Sequence, residues 1–121
     1  MDEITILQAD VMRTLASASR LEILHRVAAR PVEVWRLAED LGLSQPNVSQ
    51  HLAVLRAVGL VEADRDGRDV RYRLADPEVM VACGIMRGVL ERRLRRLADL
   101  SSSSPVAPAS SSPQTKTPTP V

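Results

Sequence analysis

Residues 43–60 read LSQPNVSQHLAVLRAVGL, and they carry a helix start, a helix stop and one apolar face. Ser44 is placed to cap the first free N–H groups, and Pro46 falls in the first turn, where a missing N–H leaves nothing unpaired. Gly59 stands just past the last turn, where a left-handed residue closes a helix. Val48, Leu52 and Leu55 recur at i, i+4 and i+7, so one face is apolar. The opposite face carries Pro46, Asn47, Gln50, Ala53 and Ala57, with Ser49 beside them. The stretch holds no acid and a single base, Arg56. Amides and hydroxyls are the groups that read base edges in a major groove. The same face also suits an ordinary solvated helix, and the flanking sequence is needed to separate the two readings.

Upstream, residues 33–41 form a short helix on Val34, Leu37, Ala38 and Leu41, stopped by Gly42. A short helix, a turn containing Gly and a second helix make the helix-turn-helix pattern. Downstream the period changes. Val61, Ala63 and Arg65 alternate with Glu62 and Asp64, and Val70, Tyr72 and Leu74 alternate with Asp69, Arg71 and Arg73. Asp66-Gly67 is a hairpin turn signal. A two-stranded hairpin is therefore expected, with Arg65, Arg68, Arg71 and Arg73 around its tip. Five bases against four acids lie within residues 56–74, so charge alone describes a solvated hairpin. Its place directly after a helix-turn-helix makes it a wing that can reach phosphates or a minor groove.

Residues 3–16 place Ile4, Leu7, Val11 and Leu15 at helical spacing, with Ile6 and Met12 flanking. Ser19 with Glu22 matches a capping box, and Leu21, Leu24 and Ala28 make the stripe of a second helix that ends before Pro31. Asp76 or Pro77 opens the last helix, which runs to about Leu100. Its broad apolar face is Val79, Ala82, Cys83, Met86, Val89, Leu90, Leu94, Leu97 and Leu100. The first and last helices offer more apolar surface than the middle of the chain can cover, and a symmetric partner is the simplest way to bury it. The expected homodimer interface is Ile4, Leu7 and Val11 with Val79, Cys83, Met86, Val89, Leu90, Leu94 and Leu97. Residues 101–121, rich in Ser, Pro and Thr, are expected to be a disordered tail after one domain over residues 1–100.

The 121 residues suffice for one small domain. With 2% aromatic residues and no Phe, the core must be Leu, Val, Ile, Ala and Met, which suits packed helices. Sixteen bases against fifteen acids exclude a bulk cationic binder, so any nucleic-acid contact must come from local placement. Cys83 is the only cysteine, which excludes an internal disulfide and fits a reducing compartment. No leader and no apolar run of 18 residues is read, so the expected location is the cytoplasm, away from membranes. No catalytic constellation is read, because Cys83 and both histidines lack a base and an orienting partner nearby in sequence.

Three segments, LASASRLEIL at 15–24, LAEDLGLSQPNVSQHLAVLRAVGLV at 37–61 and RDGRDVRYRL at 65–74, resemble the ArsR-type (ArsR/SmtB) winged helix-turn-helix regulators. That bacterial family comprises small dimeric metal and stress sensors. The resemblance implies a mainly α fold with a small β-hairpin, five helices with the hairpin between the fourth and fifth, and a dimer through the first and last helices. It also implies a DNA-binding transcriptional regulator of repressor type on an imperfect palindrome. The residues expected on DNA are Gln45, Asn47, Ser49, Gln50, His51, Arg56, Arg65, Arg68 and Arg71. His51 matches the family's recognition-helix histidine, but it sits off the apolar axis, so packing at the core edge or a bond to a backbone carbonyl stays open beside a DNA contact.

The chain departs from the family at its metal sites. Val34-Trp35-Arg36 stands where many members carry Cys-x-Cys, and the last helix has no His, with only Asp76, Glu78 and Glu91 as ligand types. No cofactor is required on this reading. A divalent metal such as zinc, nickel or cobalt would find a weak nitrogen and oxygen site drawn from those carboxylates or a His. His25 reads as a surface or core-edge residue, Trp35 as a packed side chain and Cys83 as an inert interface thiol. The alternative function is a winged-helix interaction module that acts through a co-regulator protein.

Overall fold

The structure, a computed structural model, describes residues 1–102. Its elements in chain order are α1 (Glu3–Leu15), α2 (Ala18–Ala29), β1 (Val32–Glu33), α3 (Val34–Leu41), α4 (Gln45–Ala57), β2 (Val61–Asp66), β3 (Asp69–Leu74) and α5 (Glu78–Ser102). Residues 1–77 form one compact unit and α5 belongs to a second.

Three helices of the first unit, α1, α2 and α4, start at a residue whose side chain accepts from a free backbone N–H. The Asp2 carboxylate caps α1 by accepting from the Thr5 N–H. α2 is capped by Ser17, whose extended backbone lets Oγ accept from the Arg20 N–H. Ser19, the expected cap, already lies inside the helix. The buried side chains of α2 are Ile23, Leu24 and Val27, not the expected stripe of Leu21, Leu24 and Ala28. Leu21 is half-buried and Ala28 exposed, because α2 is packed by α1, α3, α4 and β3 and its covered face is set by all four. α2 ends before Pro31 as expected, with Arg30 already extended.

A third strand joins the expected hairpin. The sheet order is β1-β3-β2, antiparallel throughout, with Val32 opposite Tyr72 and Glu33 opposite Arg71. A two-residue strand has no periodicity to read, and its partner lies forty positions away along the chain. The hairpin loop also sits one residue later than expected. Asp66 pairs with Asp69, so Gly67 and Arg68 make the turn, with Gly67 at φ 64°.

The core is aliphatic: Ile23, Leu24, Val27, Val32, Leu37, Ala38, Val48, Leu52, Leu55, Leu60 and Val61 are buried. α5, taken by itself, has 25 residues and buries none of them. It continues to Ser102, so Ser101 and Ser102, expected in the tail, are helical. The rest of the expected tail lies outside the described residues. Among the described residues no helix is long and apolar enough to cross a membrane.

Candidate nucleic-acid interface

α3 and α4 meet through a turn whose every bond is local. Gly42 takes the left-handed conformation at φ 68°, and the Leu43 N–H returns 3.0 Å to the Ala38 carbonyl. Ser44 then turns extended and its Oγ accepts from the Asn47 N–H at 3.2 Å. Pro46 occupies the first turn, as its place in the sequence requires. At the far end Gly59, at φ 80°, lets the Leu60 N–H reach the Leu55 carbonyl at 3.0 Å.

These caps fix which face of α4 is outward. Val48, Leu52 and Leu55 are 0% exposed. Gln45, Asn47, Ser49 and Gln50 are all exposed. Among the described residues no hydrogen bond employs the side chain of any of the four. Their amides and hydroxyls are therefore available to a ligand, and α4 carries no acid that would repel phosphate.

His51 is half-buried, as a core-edge residue would be, but the expected bond to a backbone carbonyl is replaced by a side-chain contact. Its partner is a side chain: Arg20 Nη1 stands 3.4 Å from His51 Nδ1, while Arg20 Nε donates to the Thr14 carbonyl. Partial burial, and then the adjacent guanidinium, hold the imidazole below its ordinary value. Arg20 was not legible as a site residue, since its two partners lie six and thirty-one positions away.

The four hairpin arginines do not gather at one place. Residues directly opposite in a ladder share a face, so Arg65 lies with Val70, and Ala63 with Tyr72. An open groove beside α4 is lined by these four residues with Val34 and Arg56. Arg56 and Arg65 therefore line one concavity together with Tyr72. Tyr72 was missed as a site residue, although its alternation with Arg71 and Arg73 carried the signal. Arg68 is exposed in the turn.

Arg71 and Arg73 belong to the other face. Arg73 contacts Asp64 and Glu62, each at 2.6 Å, and Arg71 lies 3.6 Å from Glu33. The expected cluster at the tip thus divides: Arg65 faces the groove, Arg68 is free at the turn, and Arg71 and Arg73 answer acids. Trp35, expected to pack, is 50% exposed in the first turn of α3, to one side of the buried Leu37 and Ala38. His25 is half-buried at the rim of a second open cavity with Glu22, Arg26, Arg36 and Asp40, in keeping with a core-edge residue. Cys83 is a free, half-buried thiol.

The arrangement has counterparts among known proteins. Residues 17–63 match the model of the family described as bacterial regulatory protein, arsR family. The chain is 44% identical over 78 residues to the HTH-type transcriptional regulator KmtR of Mycobacterium tuberculosis, a match spanning 64% of this chain and 60% of KmtR. The regulator Rv0081 of the same organism is 39% identical over 89 residues, spanning 73% of this chain and 78% of Rv0081. The crystal structure of Rv0081 superposes with a TM-score of 0.73 over 81% of this chain and 99% of that one. The homodimeric winged helix-turn-helix DNA-binding domain of Mycobacterium bovis Mb0332 superposes with a TM-score of 0.72 at 30% identity, over 77% and 86% of the two chains. These relatives are regulators, not enzymes, and the chain belongs to the ArsR family of winged helix-turn-helix transcriptional regulators.

Proposed function

We propose that the chain acts in the cytoplasm as a homodimer of repressor type, setting two copies of α4 into successive major grooves of an imperfect palindrome. The observation that carries this is the division of α4: three side chains fully buried on one face, and four uncharged polar side chains exposed and unengaged on the other. On this reading Gln45, Asn47, Ser49 and Gln50 contact base edges. Arg56 and Arg65, converging on one groove, hold a phosphate beside the helix, and Arg68 reaches the next. Arg71 joins them only where its contact with Glu33 opens.

The dimer is supported by bare apolar residues on two helices. On α1, Ile4 is 67% exposed and Leu7 is half exposed; on α5, Met86, Val89, Leu90, Leu94 and Leu97 are all exposed. A second copy covering both would bury what a monomer leaves in water. It would also set the two α4 helices about one turn of DNA apart, roughly 34–36 Å. The homodimeric state of Mb0332 supports the same arrangement.

The test is selection of bound sequences from random DNA, followed by binding at several salt concentrations. The expected result is a two-fold-related consensus, with affinity falling linearly in log salt as phosphate contacts release counterions. Binding without a consensus or a salt slope would favour the interaction module acting through a co-regulator. For an effector, the residues support only a weak nitrogen and oxygen site. Calorimetric titration of the reduced dimer with zinc, nickel and cobalt measures it.

A further inference from the structure

Arg20 lies on no surface that the DNA reading uses, yet it contacts two other helices of the first unit. It sits in the first turn of α2. Its Nε donates to the carbonyl of Thr14, in the last turn of α1, where helix carbonyls lack partners within the helix. Its Nη1 reaches the ring of His51, on α4, at 3.4 Å. A guanidinium has donors and no acceptor, so His51 Nδ1 must be the acceptor, and the neutral ring then carries its proton on Nε2.

We propose that Arg20 is the positioning residue of the DNA-reading helix: it ties the last turn of α1 to His51, and holds that ring as the neutral tautomer protonated at Nε2. The proposal rests on the reading of α4 as that helix, but its central measurement needs no DNA, so the two can fail separately. Protonating the ring would place two cations 3.4 Å apart and break the link to α4.

The surroundings leave Arg20 as the charge that matters to the ring. The elements packed most closely on α4 are α2, α3 and β2. From α3, Asp40 pairs with Arg26; from β2, Glu62 and Asp64 both hold Arg73. On α1, Asp10 pairs with Arg13 at the rim of the open cavity that also includes Thr14, Arg20 and Val58. Burial and then the Arg20 charge both oppose protonation of the imidazole. A link of this geometry gives α1, a helix with bare apolar residues, a direct hold on the helix that reads DNA.

The experiment uses the full chain and NMR of the histidine rings, with His25 as the internal reference, since the sequence has two histidines. In the unaltered protein, long-range proton–nitrogen spectra should show a single His51 tautomer protonated at Nε2. R20M should raise the His51 midpoint, mix its tautomers and leave His25 unmoved. It should also weaken binding to the selected operator about fivefold, the size of one ordinary hydrogen bond. R20M and H51A together should weaken binding no more than the worse of the two alone, because Arg20 acts through the ring. An unmoved His51 midpoint in folded R20M overturns the proposal, as do additive effects of the two changes on affinity. If R20M does not fold, R20K decides: lysine lacks the rigid fork that presents separate nitrogens to Thr14 and His51, so mixed tautomers are expected, and a single tautomer with full affinity overturns the proposal.

Discussion

α4 and α5 are both helices with an apolar stripe, but their stripes meet different fates. α4 has 13 residues, and its Val48, Leu52 and Leu55 are sealed from water by the chain's own elements. α5 has 25 residues and leaves every apolar side chain at least partly in water, with Leu94 67% exposed. A stripe shows that a helix has a side to bury; it does not say which surface covers that side. In α4 the covering surface is internal, so the outward residues are fixed in place and can be committed to a ligand. In α5 none of the described residues seals the stripe, and a second copy is the cover proposed for it.

The largest expected effect tests that difference directly. Leu90→Glu should place a charge where a second copy is proposed to pack, raising the dimer dissociation constant by roughly a thousandfold or more. Sedimentation equilibrium checks it, and an unchanged dimer would show that the bare stripe of α5 is not the contact. The matching change in α4 should act within one chain. Leu52→Ala should lower unfolding stability by about 2–5 kcal/mol through the lost contacts and the cavity left behind. Leu94→Ala, in the bare stripe, should cost far less at dilutions that favour monomer. Denaturant titration at two protein concentrations separates them, and equal losses would erase the comparison.

On the outward side of α4 the effects should be smaller and specific. Gln50→Ala should cost about 1–3 kcal/mol on the selected operator and little on random DNA. Equal losses on both would mean that Gln50 does not read sequence. Arg68→Ala should weaken both about equally and reduce the salt slope by about one unit. An unchanged slope would place the turn of the hairpin off the DNA.

What could be read from the sequence was what local spacing determines. The boundaries of α4 follow from Ser44, Pro46 and Gly59, whose effects reach no further than one helical turn along the chain. The family resemblance added the order of elements and the wing. Features resting on distant partners escaped. β1 exists because Val32 meets Tyr72, and Arg20 matters because it meets Thr14 and His51. The division of the hairpin arginines needed the ladder register, which pairs Asp64 with Arg71 and Arg65 with Val70. Nearby alternatives also misled: Ser17 and Ser19 are both competent caps, and only the backbone at Ser17 is extended. In α5, Val81 and the 68% exposed Ile85 lie off the expected stripe, which no count of apolar residues could assign to a surface.

The smallest expected effect is on the pH dependence of stability, and it belongs to α4 alone, since α5 contains no histidine. The folded protein holds His51 below its ordinary value of 6.5, through burial and then through Arg20. Between that lowered value and 6.5 the unfolded chain binds more protons than the folded one, so stability rises with pH across the window. The full contribution is present above 6.5, declines as pH falls through the folded value, and changes no further below it. Asp2 acts in a separate window. Its cap to Thr5 holds the carboxylate below its ordinary 3.8, so its contribution is present above that value and is lost as pH falls through the folded one. Thermal unfolding of the DNA-free protein between pH 8 and pH 5 should therefore show a modest decline that H51A removes and R20M shrinks. The decline should survive Leu90→Glu, because it arises where α4 meets α2 and not along the stripe of α5. An equal decline in H51A would assign the titration to another group and release His51 from its contact with Arg20.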